Sequence, residues 1–490
     1  MRRRDFLKAA GWSAASLAGL GALGTDRARA ATMGKRPNVV FILADDLGYA
    51  DVGCYGQKRI RTPNIDKLAA EGMRFTQFYS GNPVCAPSRC ALMTGYHSGH
   101  GQVRNNKQVG GEDAWTLGVT TGGQHPLAEG TFTVGHLLKK AGYTTGAFGK
   151  WGLGRVGTTG DPQKQGFDHF FGYICQRQAH TYYPNHLWRD GQVFWIEENK
   201  DGAERVYSHD LIAEEALKFL RTNKDRPFFL YVPFTIPHVS LQVPEDSLAP
   251  YKGQWPDPAY DGKRGYVPHV SPRACYAGMV SRMDKDVGRI TALLKELGLE
   301  ENTLVIFASD NGPTNAGGSD ADFFGGAGPF HGLKGSVWEG GIRVPFIARW
   351  PGRIKPGSES GHVAAFWDLL PTCAELVGAQ PPQGIDGISL LPTLLGQSDQ
   401  KKHEYLYWEL NGQQGVRLGD WKAVRLKPNQ KIQLFNLKTD IGEKDDVADQ
   451  HPDIVARMQD ILTNGRTESD VFPLQPPNAN KNKNKNKKKG

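Results

Sequence analysis

Cys85 stands where a side chain at a helix start could do chemistry. In Cys85-Ala86-Pro87-Ser88-Arg89-Cys90-Ala91-Leu92-Met93-Thr94-Gly95, Pro87 falls near a helix start, where its missing N–H costs nothing, and Gly95 is placed to end the helix. Cys85 then lies at the helix N-terminus, where the dipole and the free N–H groups stabilise anions. Arg89 is one turn on and can point back to the same spot. The plain alternative is an ordinary capped helix with a buried thiol. Asp45-Asp46 and Asp310-Asn311-Gly312 each read, alone, as turn or cap chemistry. Together they offer three carboxylates and an amide carbonyl, hard oxygens that suit Ca²⁺ or Mg²⁺ rather than zinc. No His/Cys cluster with zinc spacing competes. Lys150 alone is an ordinary surface charge, and His238 after a proline an ordinary turn residue.

The elements that must position these groups are short apolar, β-rich runs alternating with helical patterns. The runs are 37–44, 144–148, 228–234, 304–308 and 344–348, with helices over 64–71, 133–141, 210–222, 274–297 and 367–376. This is the pattern of an α/β fold, a large, mostly parallel sheet sandwiched by helices. Asp45 and Asp46 follow the first run, Lys150 the second and His238 the third, while Asp310-Asn311 closes the fourth. In open α/β sheets, ligands bind outside the carboxyl ends of the strands, so these polar residues converge on one edge. Beyond about Leu395 the texture changes to four short strands (404–408, 414–418, 421–426, 433–437) and a helix over 452–462, a small C-terminal antiparallel sheet plus helix.

The domain reading is therefore a leader over 1–30, a catalytic domain over 35–398, an antiparallel subdomain over 399–472 and a Lys/Asn tail over 473–490 without fixed structure. The leader has the twin-arginine form, Arg3-Arg4-Asp5-Phe6-Leu7-Lys8, then a weakly apolar stretch from Ala9 to Gly24 and a small-residue cleavage site at Ala28-Arg29-Ala30. It predicts the twin-arginine export machinery as a partner and a periplasmic or secreted location. The stretch is too short for stable membrane insertion. Of the formal charge of +8, the first 30 residues carry +4 and residues 478–490 carry +6, leaving the body at −2. A nearly neutral body presents no basic surface for nucleic acid. Six cysteines without a CxxC pair are too sparse for a disulfide scaffold in 490 residues.

Cys85-x-Pro87-Ser88-Arg89 followed by Leu92-Met93-Thr94-Gly95 resembles the signature of the type I, formylglycine-dependent sulfatases, arylsulfatase-like members of the alkaline phosphatase superfamily. His331-Gly332-Leu333-Lys334-Gly335 through Trp338-Glu339-Gly340-Gly341-Ile342-Arg343-Val344-Pro345 resembles the family's lysine-bearing motif. Gly149-Lys150-Trp151, Ile236-Pro237-His238, the stretch 276–290 and the ending around 434–443 match further pieces, in order, over about 37–462.

The resemblance implies that a maturation enzyme oxidises Cys85 to formylglycine. One hydroxyl of the hydrated aldehyde would attack sulfur and release the alcohol; loss of the other's proton would then expel sulfate. A metal on Asp45, Asp46, Cys85, Asp310 and Asn311 would lower the hydroxyl's pKa. Arg89, Lys150 and Lys334 would offset charge on the sulfuryl group, and His238 would give the leaving alcohol a proton. Two positions depart from the family pattern. Gly152 stands where the family commonly has a histidine that hydrogen-bonds near the nucleophile, with His331 as a candidate substitute, and Tyr96 stands where a basic residue is usual. The expected substrate is a sulfated carbohydrate, with aryl sulfates as surrogates. Arg104, Asn105, His180 and Tyr182, in inserts rich in polar and aromatic residues, are candidate sugar contacts. The competing readings are a phosphate or phosphonate monoester hydrolase and a sulfated-glycan-binding protein left unmodified at Cys85.

Overall fold

The computed structural model describes residues 36–110 and 122–474; the leader over 1–30, the tail beyond 474 and part of the insert after Gly99 lie outside them. Ten strands form the main sheet: β1 (Asn38–Ala44), β2 (Met73–Phe75), β3 (Thr144–Lys150), β4 (His169–Tyr173), β5 (His186–Arg189), β6 (Gln192–Trp195), β7 (Phe228–Pro233), β8 (Thr303–Ser309), β9 (Phe346–Arg349) and β10 (Ser358–Ser360). Their order across the sheet is β10-β2-β9-β8-β1-β7-β3-β4-β5-β6. The five central strands, β8 to β4, run parallel. β9 pairs antiparallel with β8, as do β5 and β6 with their neighbours.

The central strands are apolar on both faces because both are covered. On β1, Val40, Ile42 and Ala44 enter one core while Val39, Phe41 and Leu43 enter the other. β8 splits likewise, with Val305 and Phe307 on one side and Leu304, Ile306 and Ala308 on the other. Each such side chain contributes about 1.5–3 kcal/mol of transfer free energy, which offsets the cost of holding charge at the strand ends. Helices Ser208–Thr222 and Pro272–Glu296 cover the first face; Cys85–Thr94, Val134–Lys140 and Leu369–Leu376 cover the second. The predicted strands and helices are all present within a few residues. The insert that carries His180 and Tyr182 also holds the β5–β6 hairpin, which extends the sheet. Among the described residues no helix is long and apolar enough to cross a membrane.

The C-terminal strands β11 (Leu406–Leu410), β12 (Gln413–Leu418), β13 (Trp421–Arg425) and β14 (Gln433–Asn436) form the expected antiparallel sheet, covered by helix Pro452–Asn464. Fully buried ion pairs fasten this sheet to the main body. Lys422 on β13 reaches Glu339 at 3.0 Å and Glu443 at 3.4 Å, Tyr79 Oη donates to Glu339 at 2.6 Å, and Arg104 reaches Glu409 at 2.8 Å. Trp408 Nε1 donates to the carbonyl of Ser80 at 2.9 Å. Glu339 follows the Lys334 loop and Ser80 precedes Cys85, so the small sheet braces both segments.

Burial pushes the Glu443 carboxyl up to about 7, Glu339 adding to the effect and Lys422 opposing it. Between the ordinary value of 4.5 and about 7, the native chain holds a proton that the unfolded chain has released, so stability falls as pH rises through that window. Glu443→Gln removes this titration. Urea midpoints taken at about pH 5 and about pH 8 should fall for the parent chain and change less for the variant; equal falls would show that Glu443 is not the group responsible.

Candidate active site

Four adjacent strands, β8-β1-β7-β3, end at one place and deliver the chemistry. β1 and β8 pair through Ala44 and Ser309, so Asp45 and Asp310 leave the sheet side by side. Lys150 is the last residue of β3, and Gly149 before it is required: a Cβ there would lie 1.9 Å from the Pro233 carbonyl on β7. Helix Cys85–Thr94 begins at Cys85 and ends at Gly95, whose φ of 79° supplies the left-handed cap.

The Cys85 Sγ is 1% exposed and sits among charges. Asp45 Oδ1 is 3.4 Å away, Lys334 Nζ 3.5 Å and Lys150 Nζ 3.6 Å. Lys150 donates to Asp45 Oδ2 at 2.5 Å, and Lys334 donates to Asp46 at 2.6 Å and 2.7 Å. Arg89 holds Asp310 Oδ2 through Nε at 3.1 Å and Nη2 at 2.8 Å, reaches Asp45 at 3.3 Å, and donates to the Lys150 carbonyl. One fork thus ties three of the strand ends together.

Burial opposes the charge on Asp45, yet Lys150, His238, Arg89 and Lys334 hold it well below the usual carboxylate range. Burial raises Asp46 against the pull of Lys334, and lifts Asp310 to about 6 with Asp45 adding to the effect. Burial and Asp45 push the Cys85 thiol up although two ammonium groups oppose them. Burial, then Lys334 and Lys150, push His238 well below its ordinary value. Its Nδ1 lies 2.5 Å from the Val239 carbonyl, to which a neutral ring donates, leaving a lone pair on Nε2, 3.5 Å from Asp46. His238 must therefore take up a proton on Nε2 before it can give one.

The residues fit a hard divalent cation. Asn311 Nδ2 donates to Asp46 Oδ1 at 2.8 Å and to the Gly312 carbonyl at 2.9 Å, while its Oδ1 is buried with no hydrogen-bond partner. An orphaned carbonyl oxygen beside three carboxylates is a set of ligands in want of a cation. Asp45, Asp46, Cys85 and His238 bring their donor atoms within 4.8 Å of one another. His97, His100 and Asp386 are similarly close, but the Gly99 N–H donates to His97 Nδ1 at 3.1 Å, which puts the ring proton on Nε2 and leaves no lone pair there for a metal.

The candidate sugar contacts divide. Two are corrections. Arg104 is buried, and its guanidinium is spent on Glu409 and on Thr467 at 2.8 Å. Tyr182 is fully buried, and its hydroxyl meets the carbonyls of Thr235 and His238 at 2.6 Å and 2.7 Å, bracing the His238 turn from below. His180 stacks on His238 with ring centres 4.9 Å apart. Asn105 donates to Asn411 at 3.2 Å and lines a cavity of about 530 Å³ with Lys107, Asn411 and Phe472. His331 is exposed, stacked on Trp338 at 4.5 Å, whereas the space over Gly152 is filled by the Gln176 side chain. Tyr96 is half-buried just after the helix cap. Two residues were not singled out by sequence reasoning: Gln176, and Asn106, whose Oδ1 accepts from the Ala86 N–H at 2.9 Å.

Residues 37–379 match the family model Sulfatase. The chain belongs to the sulfatase family. Residues 330–468 match a second model, N-sulphoglucosamine sulphohydrolase, C-terminal. The N-acetylgalactosamine-6-sulfatase of Mus musculus is 35% identical over 476 residues, covering 89% of this chain and 82% of that protein. The crystal structure of Ps i-CgsB in complex with k-i-k-neocarrahexaose is 30% identical with a TM-score of 0.72, covering 88% of this chain and 94% of that one. The phosphonate monoester hydrolase of Agrobacterium radiobacter, 20% identical with a TM-score of 0.63, shares the fold alone. This sulfatase is a sulfuric ester hydrolase, and its reaction is the hydrolysis of sulfate esters.

Arg89→Lys keeps the charge but loses the fork on Asp310. It should lower kcat/KM for an aryl sulfate by about 10²-fold or more, the loss seen when a preorganised charge stabiliser is removed. A loss below about threefold would show that the fork does not set the site's geometry.

Proposed function

We propose that this sulfatase removes sulfate from carbohydrates with a formylglycine made from Cys85, and that its cation is Ca²⁺. The observation that carries this reading is the position of Cys85 Sγ at a helix start, between Lys150, Lys334 and Asp45. Asp45, Asp46, Asp310 and the free Asn311 Oδ1 would hold the cation, which when bound lowers the pKa of a hydroxyl at residue 85 and draws in a sulfate oxygen. A hydrated aldehyde supplies two hydroxyls on one carbon, one to attack and one to let sulfate go. Lys150 and Lys334 face the negative charge that develops there, Arg89 fixes Asp310 beside it, and Nε2 of His238 would take the proton of the attacking hydroxyl at residue 85 and give it to the departing alcohol.

A sulfated saccharide as substrate is supported by the names of the relatives and by the cavity lined by Asn105 and Asn411. The oxidising maturation enzyme must reach the Cys85 segment before it packs, because the finished site buries it. Export by the twin-arginine route through residues 1–30, a periplasmic or secreted location, and division of the chain at 398/399 with a tail from 473 complete the proposal.

Mass spectrometry of the Cys85 peptide from natively produced protein should show sulfur replaced by an aldehyde; an intact thiol in active protein sinks the formylglycine reading. Chelation should abolish turnover of an aryl sulfate and Ca²⁺ should restore it, with defined sulfated saccharides turned over faster than aryl phosphate. Full activity after exhaustive chelation would remove the metal from the scheme. Binding of sulfated glycan without turnover would favour the binding-protein alternative.

A further inference from the structure

We propose that His180, backed by Tyr266, is a positioning residue that fixes the plane of the His238 ring and so aims Nε2 at the departing alcohol. The His180 and His238 rings are stacked, with centres 4.9 Å apart and planes 14° apart. A histidine ring turns easily about its Cβ–Cγ bond, because that torsion has a broad minimum. One hydrogen bond, from His238 Nδ1 to the Val239 carbonyl at 2.5 Å, chooses which edge of the ring faces inward and leaves Nε2 3.5 Å from Asp46. That bond does not fix the tilt of the ring, since its acceptor belongs to the next residue and moves with the same turn. A flat partner against the ring face does fix it.

The partner is itself held. The His180 carbonyl accepts from the Ser240 N–H at 3.3 Å, and the Tyr182 hydroxyl meets the carbonyls of Thr235 and His238. Residues 180–182 are thus strapped to the 235–240 turn through the backbone as well as through the rings. Tyr266 stands against the same imidazole, centres 5.5 Å apart and planes at 62°. The following residue anchors it, the Val267 N–H donating to Ser240 Oγ at 3.1 Å. Gly317, at φ 60°, packs against the tyrosine so closely that a Cβ there would lie 3.2 Å from Tyr266 Cγ. Burial, then His238, Lys150 and Lys334, push the His180 ring down to about 2, so it stays neutral beside a partner that must take up a proton. A charged neighbour would oppose that uptake, and a neutral ring face does not.

The inference rests on His238 giving the leaving alcohol its proton, so His238→Ala is measured in the same series. The readout is the slope of log kcat/KM against the pKa of the leaving phenol over a set of aryl sulfates. That slope does not depend on the fraction of chains converted at residue 85. Proton donation matters most for the least acidic phenols. His180→Ala should therefore steepen the slope, losing at least about tenfold more on the least acidic phenol than on the most acidic. His180→Phe keeps a flat ring and should restore most of the parent slope. An equal loss on every ester, or a Phe variant as steep as the Ala variant, overturns the proposal. If His180→Ala does not fold, Tyr266→Ala decides, because Tyr266 is half-exposed. It should steepen the slope in the same direction, and a parent slope overturns the proposal. A steep slope in His238→Ala beside a parent slope in His180→Ala overturns the positioning alone. A parent slope in His238→Ala fails the proton-donor reading instead, and the positioning with it.

Discussion

The structure depends on keeping three carboxylates and three cations in one water-poor place. Asp45, Asp46 and Asp310 are essentially fully buried, as are Arg89 and Lys150, with Lys334 entering from the rim. Each charge alone would cost several kcal/mol to desolvate, so none can be held without its partners. That is why Asp45, Asp46, Asp310 and Lys150 stand at the ends of adjacent parallel strands: the backbone there is fixed on both sides, and the carboxyl edge of the sheet is where side chains leave it without disrupting a ladder. The apolar double face of β1, β7 and β8 is the counterweight, since only a thick core holds those strand ends rigid enough for ångström-level pairing.

The same constraint explains the small C-terminal sheet. Cys85 and Lys334 come from loops and a helix start rather than from central strands, and such segments have no ladder to fix them. Lys422, Trp408 and Glu409 do that work from β11 and β13, gripping Glu339 on one side and Ser80 and Asn82 on the other. The residues of the grip are buried ion pairs and carbonyl contacts, whose geometry is directional where apolar packing is not.

Much of this was legible in the residues. The run at 39–44 is apolar at every position, which only a strand covered on both faces can sustain, and Asp45-Asp46 directly after it marks the strand end. β4 to β6 were harder to read: the hairpin at 186–195 alternates aromatic and polar residues in a stretch whose composition is also that of a loop. Arg104 and Tyr182 show the opposite limit. Composition singles out polar and aromatic residues but cannot tell a side chain spent on Glu409 or on the His238 turn from one facing a ligand. Gln176 and Asn106 carried no signal at all, because amides form no spacing pattern and their meaning lies in what they pack against.

The charge balance bears on what the site selects. Asp45, Asp46 and Asp310 against Arg89, Lys150 and Lys334 come to a formal net of zero, and His238 is held neutral by burial and the two lysines. A divalent cation on the acids brings the pocket to a formal +2, complementary to an anionic ester and to the dianion that leaves as product. Charge alone would accept phosphate as well as sulfate. On the formylglycine reading proposed above, an oxygen at residue 85 would be the group that separates the chemistries. Electrostatics thus brings an anion to the site, and the nucleophile proposed at residue 85 would decide what is done to it.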